Sequence, residues 1–185
     1  RLHWRGAGLR PATADRAGIA AMSDLWVDTD MGFDDLWALL LLRHLGCEIA
    51  GVSLVAGNAP MRHVATNAGA ARRAYRVDWP VWQGAPLPIK GGAESAADIL
   101  GPTGIRTRGR QLEACDQNLP PKGAVKAMRR WLHGTTDTTK EILALGPLTN
   151  IAELLKAEPD LPFRIERVVW MGASTGAGNH TAAAE

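Results

Sequence analysis

A chain of 185 residues, 46% hydrophobic and 22% charged, has the composition of a soluble globular domain and is long enough to bury one core. Its formal charge of +2 sits in the opening segment, where Arg1, Arg5, Arg10 and Arg16 stand against Asp15; the remaining 17 basic and 18 acidic residues nearly cancel. A neutral body excludes an extended nucleic-acid surface, and the longest apolar run, Leu36–Leu42, is far too short to span a bilayer.

Residues 1–22 are rich in Ala, Gly and Arg and lack a continuous apolar stretch. They read as a disordered leader, or as translated sequence upstream of a start at Met22, ahead of one patterned domain over 23–185. From there short apolar runs alternate with helical periods. Leu25–Val27 predicts a strand, Asp35–Leu45 a helix that is apolar all round and so well buried, and Gly46 its end. Ile49–Val55 predicts a second strand breaking at Gly57 and Asn58, Arg62–Arg76 a helix, and Val81–Trp82 a third strand. The stretch from there to Leu119, rich in Gly, Pro and charge, predicts a long functional loop. Gly123–Leu132 reads as helix, Glu141–Leu145 as strand, Leu148–Lys156 as helix with Thr149 near its cap, and Val168–Met171 as a buried strand. Such alternation predicts an α/β fold, an open and mainly parallel sheet with helices on both faces, because parallel strands need crossovers. Ligands bind such sheets outside the carboxyl ends of the strands, which points to the turns after Val27 and Val55, the Gly146-Pro147 turn and the stretch after Met171. Cys47 and Cys115, with no secretion signal before them, read as reduced thiols of a cytoplasmic protein.

The turn after the first strand reads Asp28-Thr29-Asp30-Met31-Gly32-Phe33-Asp34-Asp35, four carboxylates within eight residues. Like charges that close repel and raise one another's pKa unless a cation lies among them. Oxygen ligands with no nearby His or Cys favour calcium or magnesium over zinc. Gly32 is expected to let the backbone turn sharply, and Asp34 and Asp35 to fall in the first helical turn, where the dipole favours negative charge. Aspartates at a strand-to-helix junction also serve as plain caps, but four of them at this spacing ask for more. A start of strand-Asp-x-Asp resembles the aspartyl-nucleophile phosphatases as well, with Asp28 as nucleophile. That family wants a small hydroxylated residue where this chain has Gly32, and it leaves Asp34 and Asp35 unexplained. No Lys or Arg lies in the turns after Val27, Gly146 or Met171 to hold a phosphate.

The string DTDMGFDD resembles the N-terminal signature of the inosine-uridine-preferring nucleoside hydrolases. VAGNAPMRHVATNA (Val55–Ala68), LGPLTNIAELL (Leu145–Leu155) and WMGASTGAGNHTAAAE (Trp170–Glu185) are similar to further stretches of that family in the same order, and PVWQGAPLPI (Pro80–Ile89) to a weaker one. The resemblance runs from about Leu25 to the end. It implies a nucleoside hydrolase-like sheet with a Rossmann-like core, and a calcium-dependent hydrolase cutting the N-glycosidic bond of ribonucleosides. By the same resemblance Asp30 and Asp35 ligate calcium through carboxylates and Thr149 through its carbonyl, and Asp30 is also the general base toward a calcium-bound water. Asp34, Asn58, Asn179 and Glu185 hold the ribose, Met171 lines the sugar pocket, and Asp28 supports the metal loop. The chemistry agrees. Breaking an N-glycosidic bond passes through an oxocarbenium-like sugar, which needs an activated water and negative or dipolar groups beside the developing positive charge. Carboxylates and amides on the ribose hydroxyls position the sugar and reject deoxy sugars, because a buried acceptor left unpaired costs free energy.

The chain also departs from the family pattern. Met31 stands where many members carry Pro, a change expected to cost little because no ligand is lost. The usual His-Gly segment is replaced by Leu100-Gly101-Pro102-Thr103-Gly104, which leaves 101–115 without an assigned role. His133 and His180 read as surface or packing residues. The sequence stops inside the fourth motif, before a further ribose-binding Asn, a calcium-ligating Asp and a leaving-group His of the family. It therefore reads as the N-terminal part of a longer protein, its C-terminal portion missing, and inactive by itself. A calcium- or nucleoside-binding module without catalysis stays open as the alternative, and nucleobase preference and homo-oligomer formation are left open.

Overall fold

The unbroken apolar run Leu25–Val27 suits a strand in the middle of a sheet, covered on both faces. This computed structural model describes residues 23–93, 95–106, 111–115, 119–134, 139–160 and 164–172, so the opening segment lies outside the described residues. In β1 (Ser23–Thr29), Trp26 and the adjacent Val27 are both buried and enter different core clusters, as a strand covered on two faces requires. β2 (Ile49–Leu54), β3 (Val81–Gln83), β4 (Thr139–Ala144) and β5 (Arg167–Trp170) complete a five-stranded sheet, every pair parallel, in the order β3-β2-β1-β4-β5. The chain thus steps outward from β1 to β3, then returns to the other side of β1 for β4. That reversal puts the topological switch point at the carboxyl ends of β1 and β4, the place where open α/β sheets receive ligands.

The connections are helical: α1 (Phe33–His44), α2 (Met61–Tyr75), the short α3 (Ala97–Leu100) inside the predicted loop, α4 (Ala124–His133) and α5 (Thr149–Ala157). One core joins Leu36 and Leu39 of α1 and Val64 of α2 to Val27, Val52 and Val81. The other joins Met128 and Leu132 of α4 and Leu154 of α5 to Trp26, Ile142 and Ala144. Trp26 stacks on Trp82 with centroids 5.4 Å apart and lies 5.3 Å from Trp131. Gly51 on the paired strand makes room for it, since a Cβ there would run into the Trp26 ring.

Two readings of burial need correction. α1 is not buried all round: Asp35, Leu36 and Leu39 face the core, whereas Trp37 and Leu41 are 62% and 56% exposed. β5 is not a buried strand but lies at the end of the strand order, with Val168 and Val169 about half exposed. An apolar run records the preference of its residues, not whether a neighbour covers them. No helix among the described residues is long and apolar enough to cross a membrane.

Candidate active site

Three loops meet at the reversal point. The Val55 N–H bonds the Thr29 carbonyl at 3.0 Å and the Leu145 N–H bonds the Asp28 carbonyl at 2.7 Å, which bring the ends of β2 and β4 onto β1. Two glycines permit the last approach. A Cβ on Gly146 would come within 3.0 Å of the Asp30 amide nitrogen, and one on Gly57 would press on the Asp30 carboxylate and sit 2.8 Å from the Pro147 ring. The turn after β4 and the turn after β2 therefore both close on Asp30.

The sharp turn itself is made at Met31, not at Gly32. Met31 has φ 54°, in the left-handed region, while Gly32 has an ordinary φ of −66° and serves as the N-cap of α1. Gly32 is needed for space: a Cβ there would lie 2.9 Å from Asp35 Oδ2 and 3.0 Å from Asn58 Nδ2. The left-handed turn is held by the Met31 N–H donating to Thr29 Oγ1 at 2.9 Å, and the Met31 side chain is buried in the first core. The change from Pro is thus more than a neutral swap in this chain, since Pro has neither that φ nor an N–H.

Of the four aspartates, three are buried. Asp30 accepts from the Asn58 N–H at 2.7 Å and from Asn58 Nδ2 at 3.1 Å. Asp35 accepts from Thr29 Oγ1 at 2.6 Å. Asp28 accepts on Oδ1 from Asn150 Nδ2 at 2.8 Å and from the Ser53 hydroxyl, itself an acceptor for the Trp26 indole N–H at 2.9 Å. Asp34 is exposed in the first turn of α1, and Asn58 is half-buried. Burial dominates the electrostatics. It pushes Asp35 up to about 8, with the charge of Asp30 adding to it, and raises Asp28 to about 6 against the hydrogen bonds from Asn150 and Ser53. Asp30 is raised too, by burial first, against the Asn58 amide. No salt bridge among the described residues includes any of them.

Thr149 opens α5 and is buried, and Met171 follows β5 with its side chain 53% exposed and its N–H on the Ala144 carbonyl at 2.8 Å. The candidate ribose residues Asn179 and Glu185 lie outside the described residues, as does His180. His133 is a surface residue, 2.6 Å from Glu158. Four polar residues at the site escaped the sequence reading: Thr29, Ser53, Asn67 and Asn150. Asn67 donates to the Thr103 carbonyl at 2.9 Å and reaches the Met31 carbonyl at 3.4 Å. The Ala96 N–H bonds the Asn58 carbonyl at 3.1 Å. Thr103, in the stretch without an assigned role, and Ala96 just before it therefore brace the acidic turn and the Asn58 turn.

Whether this arrangement suits a cation can be judged from its oxygens. No group of three or more acidic, His or Cys side chains among the described residues is arranged to hold a metal ion. Yet Asp35 Oδ2 and Asp28 Oδ2 are buried without a hydrogen-bond donor, and an unpaired buried carboxylate oxygen is costly unless a cation or proton meets it. The donors are all oxygens, the choice of a hard ion completed by carbonyls and water.

The family profile described as inosine-uridine preferring nucleoside hydrolase matches residues 25–185. The chain belongs to that family. Among relatives of this nucleoside hydrolase chain, the non-specific ribonucleoside hydrolase RihC of Klebsiella pneumoniae is 35% identical over 161 residues, covering 86% of this chain and 52% of the relative. Among solved structures, an inosine-guanosine nucleoside hydrolase superposes with a TM-score of 0.75 at 29% identity, over 88% of this chain and 53% of its own. The purine-preferring ribonucleoside hydrolase from Gardnerella vaginalis superposes with a TM-score of 0.73 at 26% identity, over 86% and 52%. The chain thus spans about half the length of the relatives it matches.

Proposed function

We propose that the protein carrying this chain hydrolyses the N-glycosidic bond of ribonucleosides, giving ribose and free base, and does so in the cytoplasm with calcium as cofactor. The observation that carries the reading is the buried carboxylate cluster at the reversal of the sheet, paired with no basic side chain among the described residues, in a chain of the nucleoside hydrolase family. Relatives named as ribonucleoside hydrolases support the substrate class. Asp30 and Asp35 with the Thr149 carbonyl would hold calcium, and Asp28 would support them from below. Bound there, calcium would lower the pKa of a coordinated water and offset the carboxylate charge.

Asp30 acts as the general base, taking a proton from the attacking water. Its burial suits the task, because a carboxylate with a raised pKa holds a proton more readily than an ordinary one. The two Asn58 donors fix both of its oxygens, so the base keeps one orientation. Asp34, exposed beside the cluster, and Asn58 bind ribose hydroxyls, joined by Asn179, Glu185 and Met171. Negative side chains around the sugar stabilise its positive charge as the base departs.

The test is release of hypoxanthine from inosine and of uracil from uridine by the whole protein, followed by chromatography in calcium and in EDTA. Calcium-dependent release of free base is expected. Calcium binding without release of base from any ribonucleoside would refute the enzyme and leave a binding module.

A further inference from the structure

We infer that Asn150 is a positioning residue of this site: its amide fastens the start of α5, and with it the carbonyl of the preceding Thr149, to the carboxyl ends of β1, β2 and β3. The inference rests on the calcium reading above, and adds to it a residue that makes no contact with the substrate. Asn150 is fully buried. Its Nδ2 donates to Asp28 Oδ1 at 2.8 Å and to the Leu54 carbonyl at 3.0 Å, and its Oδ1 accepts from the Ala85 N–H at 2.7 Å. Those partners lie at the end of β1, at the end of β2 and just beyond β3, so one side chain ties three strands to the helix that follows a fourth.

The chemistry of the partners makes the amide hard to replace. Two acceptors on one side require a donor, and a main-chain N–H on the other requires an acceptor, which only an amide of this length supplies at once. An aspartate there would face the Asp28 carboxylate and a carbonyl with no proton between. The chain also makes room for it: a Cβ on Gly84 would collide with both polar atoms of the Asn150 amide. Loss of a partner that orients a ligand from behind typically costs about 10–100-fold in metal affinity or activity.

The experiment is calcium titration by calorimetry on the whole protein, beside kinetics with inosine. Asn150→Leu is expected to weaken calcium binding about 10–100-fold, Asn150→Asp more than that, and both to leave KM for inosine at saturating calcium unchanged. Gly84→Ala removes no polar group but crowds the same amide, and is expected to weaken calcium binding in the same direction. A purely structural role would lower the melting temperature of these variants while calcium affinity stayed at the wild-type value, and that result overturns the inference. Should Asn150→Leu fail to fold, Gly84→Ala decides. A wild-type protein that neither binds calcium nor releases base would instead refute the proposed function.

Discussion

The carboxyl ends of β1 and β5 are built in opposite ways. After β1, hydrogen bonds from three other segments and from β1 itself converge on three buried aspartates: Ser53 from β2, Asn58 from the turn beyond it, Asn150 from α5 and Thr29 from β1. After β5, Met171 stands 53% exposed beyond a strand whose valines are also half bare. Preorganisation therefore resides where side chains from distant segments cross: the residues proposed to hold calcium are fixed by this chain's own contacts, while Met171, proposed to line the sugar pocket, is not.

The largest effect expected from breaking the ordered end is on turnover. Asp30→Asn in the whole protein should lower kcat on the order of 10³-fold, as loss of the base and of a metal ligand together; steady-state kinetics with inosine measure it, and a near-normal kcat would remove Asp30 from the chemistry. Next comes the response to pH. Asp28 near 6 and Asp35 near 8 are raised above an ordinary aspartate, so the folded state binds protons more tightly than the unfolded one. Their contribution to stability is full below the unfolded pKa of about 4 and is lost as pH rises through 6 and then 8. Calorimetry in EDTA should show the melting temperature falling over that range, and calcium should flatten the fall; a flat profile in EDTA would mean the carboxylates are not desolvated.

Met31→Pro sharpens the contrast within the turn itself. It removes the N–H bonded to Thr29 Oγ1 and demands a φ far from 54°, so it should cost about 3 kcal/mol in denaturant unfolding. Unchanged stability would show that the turn has a second, Pro-compatible backbone. Asp34→Ala has the smallest effect: exposed and outside the buried network, it should raise KM for inosine about 10–100-fold with little loss of kcat, matching lost ribose contacts of about 1–3 kcal/mol. A drop confined to kcat would place Asp34 in the chemistry instead.

What the sequence discloses follows the range of each interaction. The acidic turn is legible because its four carboxylates are neighbours in the chain, and the parallel sheet because strand and helix periods alternate. Asn150 is not, since its partner Asp28 lies 122 residues away and a single Asn within LGPLTNIAELL carries no local mark. Ser53 hides in a strand that reads as apolar, 25 residues from the same Asp28. From sequence the sharp turn is expected at Gly32, because glycine is the usual occupant of left-handed backbone, and only the folded loop shows that Met31 takes it. Trp37 and Leu41 mislead for the converse reason, as apolar residues on a helix side that no described element covers.

The tryptophan stack behind the acidic turn gives the site an optical voice. Indole emission responds to charge and polarity around the ring, and the Trp26 indole is one hydroxyl away from Asp28, through Ser53. Trp82 and Trp131 lie against the same ring, with centroids 5.4 and 5.3 Å from it. Any event that alters the charge or position of Asp28 is thereby transmitted to a natural fluorophore in the core, so the state of the acidic turn can be followed in solution without an added label.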